Sequence, residues 1–440
     1  MKGGRLQCGS EMPSMPTANR VVPARDAADR ANVPGRWWLA ALLTSGMTFC
    51  YAQRGTLSVA APFMIRDLGI NTETMGLMLS AFSWCYCFMQ VPSGWIVDRF
   101  GVRRAYAFGF ALWSIACALT GAFRNIVAIM FFRITMGVGQ SVAFPASART
   151  VANWFPDTER GLVNSSYLIG VRLGQALVNA AGVGLITLYG WRTLFVLGGL
   201  VPLLWIVPWM LTLRRWETPG SSAATGAPNR FTFASSFGLL RHRTVLGTFL
   251  GFFVFDYVWF VFVYWLPGYL RLERHFTPAQ MAFHSSVPFL VMSIVIIVSG
   301  IAADRLIASG FSELRVRKAF IAIGFAIAMA IVPAGLVHDN NTSVWLLLVS
   351  LCGIGVASPN TWSIMQACCS KRLVGTISGI QNFGGNVGGI IAPWLTGAIA
   401  HRTGSFAPAF VLCGFLLVGG TLAYWLLMNE KVSESVITDH

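Results

Sequence analysis

The feature that most narrows the folds open to this chain is a succession of apolar runs, each about 20 residues long, broken by short polar or basic stretches. A helix needs about 20 apolar residues to cross roughly 30 Å of hydrocarbon, and lipid cannot satisfy an exposed backbone. Runs of that length predict crossing helices at 37–60, 74–97, 105–123, 126–148, 161–188 and 191–213. After a polar gap, six more are predicted at 243–270, 281–301, 317–338, 344–366, 373–400 and 405–428. Only 11% of the 440 residues are charged, against about 25% in soluble chains, too few to cover the outside of a soluble domain. The 16 Trp and 32 Phe suit side chains that face lipid or lie at its headgroup boundary. The expected fold class is therefore an all-α membrane protein of 12 transmembrane helices in two six-helix bundles, with the lipid bilayer as its solvent.

Lysine and arginine set the orientation. An even number of crossings puts both termini on one side. The loop at 98–104 (Arg99, Arg103, Arg104), the loop at 214–243 and the loop at 302–318 (Arg305, Arg315, Arg317, Lys318) fall on that side. Lys371 and Arg372 join them, whereas the opposite loops hold scattered charges such as Arg66, Arg124 and Arg402. The positive-inside rule places both termini in the cytoplasm of a multi-pass inner or plasma membrane protein. Residues 1–36 are polar and basic without an early apolar core, which reads as a disordered cytoplasmic tail and not as a cleavable signal peptide. A second cytoplasmic tail is expected at 429–440. The net charge of +15 is spread in short clusters; no continuous stripe fits a nucleic acid. The nine cysteines have neither disulfide nor zinc spacing. No metal cluster, nucleotide motif or nucleophile–base pair appears, so neither a cofactor nor an enzymatic activity is expected.

Between the two sets of spans, residues 217–232 are the only interior stretch of linker composition, within an expected cytoplasmic loop at 214–242. It separates a six-helix bundle at 37–213 from another at 243–428. Each half carries a related loop after its second span: Gly94, Asp98, Arg99, Gly101, Arg103 and Arg104 in the first, and Gly300, Asp304 and Arg305 in the second. Such a repeat suits two related bundles that alternate access to a central site.

From residue 37 to 428 the chain resembles the major facilitator superfamily, whose loop motif between spans two and three matches 94–104. More narrowly it is similar to the anion:cation symporter family of sugar-acid, dicarboxylate, aromatic-acid, sulfonate and sialic-acid carriers. The residues that carry this are Tyr51-Ala-Gln-Arg54 with 57–62, Arg133 with Gly137 and Gly139, Tyr264 to Leu270, and Gly375-Thr376 with Asn382, Gly385 and Asn386. The resemblance implies a gate in which Asp98 accepts from a neighbouring helix end while Arg99 and Arg103 pair across the bundle seam. It also implies that Arg54 contacts an anionic substrate, that Arg133 is linked to coupling, and that the carrier is a monomer.

An ionisable group inside a span costs at least about 2.5–3.5 kcal/mol on insertion scales, so each is a functional candidate. Four stand out. Arg54 either meets the cargo or snorkels to the outer interface. Arg172 is too deep to snorkel easily, and Gly170 and Gly174 beside it permit close helix approach; it is either a second anchor or neutralised by Asp256. Asp256, among aromatic residues, is the best candidate for proton binding, with a static salt bridge to Arg54 or Arg172 as the alternative. Arg133 is either a coupling residue or a helix-end charge. Proton-driven members of the resembled family carry acids where this chain has Gln53 and Gln140, and an amide takes up no proton. Proton symport through Asp256 and anion exchange or uniport both stay open. Further polar candidates for contact with the cargo are Tyr51, Gln53, Gln140, Tyr257, Tyr264, Asn360, Gln366, Asn382 and Asn386. The function expected is transport of a small organic anion with protons as a candidate coupling partner. A multidrug effluxer or a transport-like anion sensor fits less well.

Overall fold

The computed structural model describes residues 35–216, 238–368 and 374–428. The expectations for the 1–34 tail, residues 217–237 of the linker, Lys371, Arg372 and the 429–440 tail lie outside the described residues, as does the side chain of Gln366.

The described chain is helical. In order the helices are α1 (Arg36–Leu68) and α2 (Thr72–Phe100), then α3 (Val102–Ala122), α4 (Ile126–Trp154), α5 (Glu159–Tyr189) and α6 (Trp191–Arg214). Beyond the linker come α7 (Arg243–Leu272), α8 (Pro278–Ala308), α9 (Glu313–Leu336) and α10 (Asn340–Met365), followed by α11 (Val374–Thr403) and α12 (Ala407–Leu427). Among the described residues nine of these, α3 to α10 and α12, are long and apolar enough to cross a membrane. Helices α1, α2 and α11 match them in length at 33, 29 and 30 residues but are less apolar. Helix α1 packs on α5 and α2 on α11.

Several helices overrun the apolar runs. Helix α1 continues eight residues past the expected end at 60, to Leu68, and α4 continues to Trp154 through a turn at 141–142. Hydropathy marks the part in hydrocarbon, whereas the backbone stays helical into the headgroup layer because its hydrogen bonds are internal. Prolines lie inside α1, α2, α7, α8 and α11. Trp265 Nε1 donates to the Pro393 carbonyl at 2.8 Å, tying α7 to α11. Gly170 and Gly174 sit directly against the Thr44 and Thr48 carbonyls of α1, the close approach expected of them.

The helices before the linker meet those after it along α2–α11, α5–α8 and α1–α7. Ser58 Oγ donates to the Tyr264 carbonyl at 2.8 Å and Thr72 Oγ1 to that of Gly397 at 3.0 Å. Asn179 Nδ2 donates to the Ser285 carbonyl at 2.8 Å, Ser286 Oγ to that of Ala176 at 3.3 Å, and Asn71 meets His401 at 3.3 Å. These hydrogen bonds between the two sets are gathered towards the 69–71 turn.

Candidate anion site at the centre of the bundle

Arg54 lies on α1 and is 3% exposed, so it does not snorkel. Its guanidinium carbon stands 4.4 Å from the ring centroids of Tyr51 and Phe82 and 4.7 Å from that of Tyr86. Three rings enclose the flat faces of the cation, an arrangement worth about 2 kcal/mol or more when desolvated. The edge is less well served. Nε donates to Gln140 Oε1 at 3.2 Å, while Nη2 is buried without a hydrogen-bond partner. Gln140 is held in turn by its Nε2, which donates to the Cys50 carbonyl at 2.9 Å. It orients Arg54 instead of lining open space.

Gln53 departs from expectation. It is 1% exposed and its amide joins α1 to α3 and α6, donating to Ser114 Oγ at 3.0 Å and the Gly198 carbonyl at 2.8 Å. One residue along a helix turns the side chain by about 100°, so Gln53 points away from the space that Arg54 faces.

Arg133 is wholly buried, two turns inside α4, which removes the reading of a helix-end charge. Its Nη2 reaches the Arg54 carbonyl and its Nη1 the Met136 Sδ, each at 3.5 Å. Its guanidinium carbon is 5.6 Å from the Phe82 centroid. Two cations thus share one aromatic ring.

Across the seam, Asp256 on α7 is half-buried. Its carboxylate lies directly against Gly385 of α11, where any side chain would collide with it. It interacts electrostatically with Arg172 and Arg54, yet among the described residues no ion pair is formed by any of these three or by Arg133. The static salt bridge is therefore corrected. Arg172, half-buried on α5, rests its guanidinium carbon 4.1 Å over the Trp259 ring of α7, a contact between the two halves. Tyr257 and Tyr264 are buried, the Tyr264 hydroxyl without a hydrogen-bond partner among the described residues, and Tyr51 is half-buried beside Arg54. Asn382 and Asn386 share a face of α11, Asn386 Nδ2 donating to the Asn382 carbonyl at 2.8 Å. Asn360 is spent on structure: it accepts from Arg317 at 3.3 Å and donates to Ser299 Oγ and the Val356 carbonyl.

The gate loop is built differently from its expected form. Gly101 takes φ +79°, the left-handed backbone that lets α2 turn into α3 without a spacer. Asp98 pairs with Arg149 at the end of α4, at 3.7 Å, a neighbouring helix end in its own half. Arg99 lies 5.3 Å from the Trp95 ring and 5.9 Å from that of Phe100 and, among the described residues, makes no ion pair across the seam. The Arg103 carbonyl accepts from Trp209 Nε1 at 3.2 Å, Arg104 is exposed, and Gly94 has open space before it. In the repeated loop Asp304 accepts from Arg317 at 3.0 Å, while Arg305 is exposed.

Phe82, Tyr86 and Trp259 complete the surroundings of the two arginines and were not singled out from sequence. Trp259, one turn from Asp256, carried a usable signal through helical spacing. Phe82 and Tyr86 carried none, because apolar spans contain many aromatic residues.

A family model described as the Major Facilitator Superfamily matches residues 43–393. The D-galactonate transporter of Escherichia coli O6:H1 is 31% identical over 427 residues, covering 92% of this chain and 99% of that protein. The hexuronate transporter of Bacillus subtilis is 30% identical over 383 residues, covering 85% of this chain and 90% of that one. Among solved structures, a bacterial homologue of the human lysosomal transporter Spinster, in an inward-facing and unoccupied conformation, superposes with a TM-score of 0.76. It is 17% identical over 91% of this chain and 99% of its own, a likeness of fold. Matched along most of its length by the family model and by sugar-acid carriers, the chain belongs to the major facilitator superfamily of multi-pass membrane transporters, which are not enzymes.

Proposed function

We propose that this protein is a secondary transporter that carries a small organic anion, of the carboxylate, sugar-acid or sulfonate class, across the inner or plasma membrane by alternating access. The observation that carries the reading is the Arg54 guanidinium. Its faces are packed on Tyr51, Phe82 and Tyr86 while Nη2 is left buried and unpartnered. Leaving such a donor unsatisfied costs about 1–3 kcal/mol, and an acid oxygen of the cargo would remove that cost with a charge-assisted bond. In this reading two six-helix bundles, 37–213 and 243–428, supply twelve crossings and rock about Arg54, with both termini cytoplasmic and a monomer as the working unit. Tyr51, Tyr257, Tyr264, Asn382 and Asn386 serve the uncharged part of the cargo. The end at the 69–71 turn then faces outwards, and the Asp98 and Asp304 loops gate the cytoplasmic side.

Asp256 is the candidate proton carrier in this scheme. Exchange or uniport is the second reading, favoured by Gln53 and Gln140, whose amides are committed to hydrogen bonds inside the amino-terminal helices. Reconstituted vesicles separate the two. Asp256→Asn abolishes uptake driven by a pH gradient but spares counterflow exchange if Asp256 carries the proton; gradient-driven uptake that survives the change assigns exchange or uniport. Arg54→Ala tests the anion reading itself, and unchanged anion affinity in a folded variant removes Arg54 from the site.

A further inference from the structure

We infer that Arg172 forms a second acid-binding subsite beside Arg54, and that the preferred cargo is a dianion of two carboxylates on a short chain. The inference rests on the reading of Arg54 as the first anchor. It starts from charge. Of the 17 acidic residues, Asp256 alone lies deep within an apolar helix, whereas Arg54, Arg133 and Arg172 are all interior. Three guanidinium charges against one carboxylate leave two positive charges unmatched. Among the described residues none of the four forms an ion pair. A monoanion leaves one charge over; a dianion leaves none.

Access decides which arginines meet the cargo. Arg133 is wholly buried, with its Nη groups turned to the Arg54 carbonyl and the Met136 sulfur, so it adds charge without contact. Arg172 is half-buried and, among the described residues, donates no hydrogen bond. The Trp259 ring lies against the face of its guanidinium. A guanidinium stacks through its face and donates through its edge, so the Trp259 stack sets the plane of Arg172 and leaves the in-plane N–H groups for an acid group.

Placement supports a bridging ligand. Tyr51 lies beside Arg54, its ring centroid 4.4 Å from the guanidinium carbon, and Arg172 rests on Trp259, one turn from Asp256 on α7. Gly170 and Gly174 bring α5 against α1, which fixes the register of the two arginines. Because Trp259 belongs to the opposite half, an acid group held on Arg172 sits at a contact between the halves. The second carboxylate therefore reports occupancy to the seam that has to move.

The test uses the full chain in lipid nanodiscs and two matched pairs of acids, gluconate with glucarate and hexanoate with adipate. Each pair differs in whether the chain carries one carboxylate or two. The expected result is that the wild type binds the diacid of at least one pair about tenfold or more tighter than the monoacid, the size of one charged hydrogen-bonded contact. Arg172→Gln brings that ratio to about one and leaves monoacid affinity within about threefold. Should Arg172→Gln fail to fold, Arg172→Lys carries the test: a reduced ratio supports the subsite and an unchanged ratio overturns it. Equal binding of diacid and monoacid in both pairs by the wild type, or equal weakening of both acids by Arg172→Gln, also overturns it. If monoacids bind in an Arg54-dependent way without a diacid advantage, only this inference falls. If no acid binds and Arg54→Ala changes nothing, the anion reading falls with it.

Discussion

At residue 54 the shape of the cation matters as much as its charge. Three rings lie within 4.7 Å of the guanidinium carbon, and only a flat, weakly hydrated cation can stack on them while donating from its edge. Arg54→Lys is expected to fold, to keep the charge and to lose at least about tenfold in anion affinity, as the forked hydrogen bonds of arginine are worth about 1.5–3 kcal/mol. Equilibrium binding to the purified variant checks this. Gly385 is a second sensitive position, because the Asp256 carboxylate occupies the space a Cβ would take. Gly385→Ala displaces that carboxylate, and transport should fall as far as in Asp256→Asn while the protein still purifies as a monodisperse species. Uptake equal to the wild type would show that the place of Asp256 is not critical.

At the scale of elements, the contact of α1 with α5 carries Arg54 on one helix and Arg172 on the other. Gly174 makes it possible by lying against the Thr48 carbonyl. Gly174→Ala forces the helices apart, and overpacking of this kind costs typically about 1–3 kcal/mol. A lowered unfolding temperature together with weakened anion binding is expected, whereas a purely structural contact would lower the temperature alone. The contact between α5 and α8 is a separate device. Asn179 donates to the Ser285 carbonyl at 2.8 Å and is itself held by Gln175 at 3.2 Å. Asn179→Leu removes the donor and strands the carbonyl, a change of about 1–3 kcal/mol. The balance between the two access states should shift by about tenfold or more towards the state open at the 69–71 end, read by labelling of a cysteine placed near Thr72.

At the scale of the molecule, the hydrogen bonds between the halves are gathered towards one end and the interior arginines outnumber the one interior aspartate. Excess cation at the centre of an apolar body opposes stability, since each interior charge costs at least about 2.5–3.5 kcal/mol to insert. A bound anion offsets this, so thermal stability should rise with ligand concentration, by about 2.7 kcal/mol at a hundred times the dissociation constant. Organic cations of similar size should leave it unchanged. Stabilisation by cations and not by anions would point to a cargo of the opposite sign.

Most of the fold was legible in the chain itself. Lipid leaves the backbone no choice but the helix, so run length alone located the helices to within a few residues at many ends, and the errors fell where helices emerge from hydrocarbon. The charged candidates were legible for the same reason, since an arginine or aspartate in an apolar run is costly whatever the fold. Tertiary structure alone decided what each does, because side-chain direction depends on which face of a helix meets which neighbour. It sent Gln53 into the α3–α6 contact, turned Gln140 into a holder for Arg54, buried Arg133 behind it and laid Arg172 on Trp259. It also paired Asp98 with Arg149 of its own half and laid Arg99 near the Trp95 ring, contacts that only the packed helices decide.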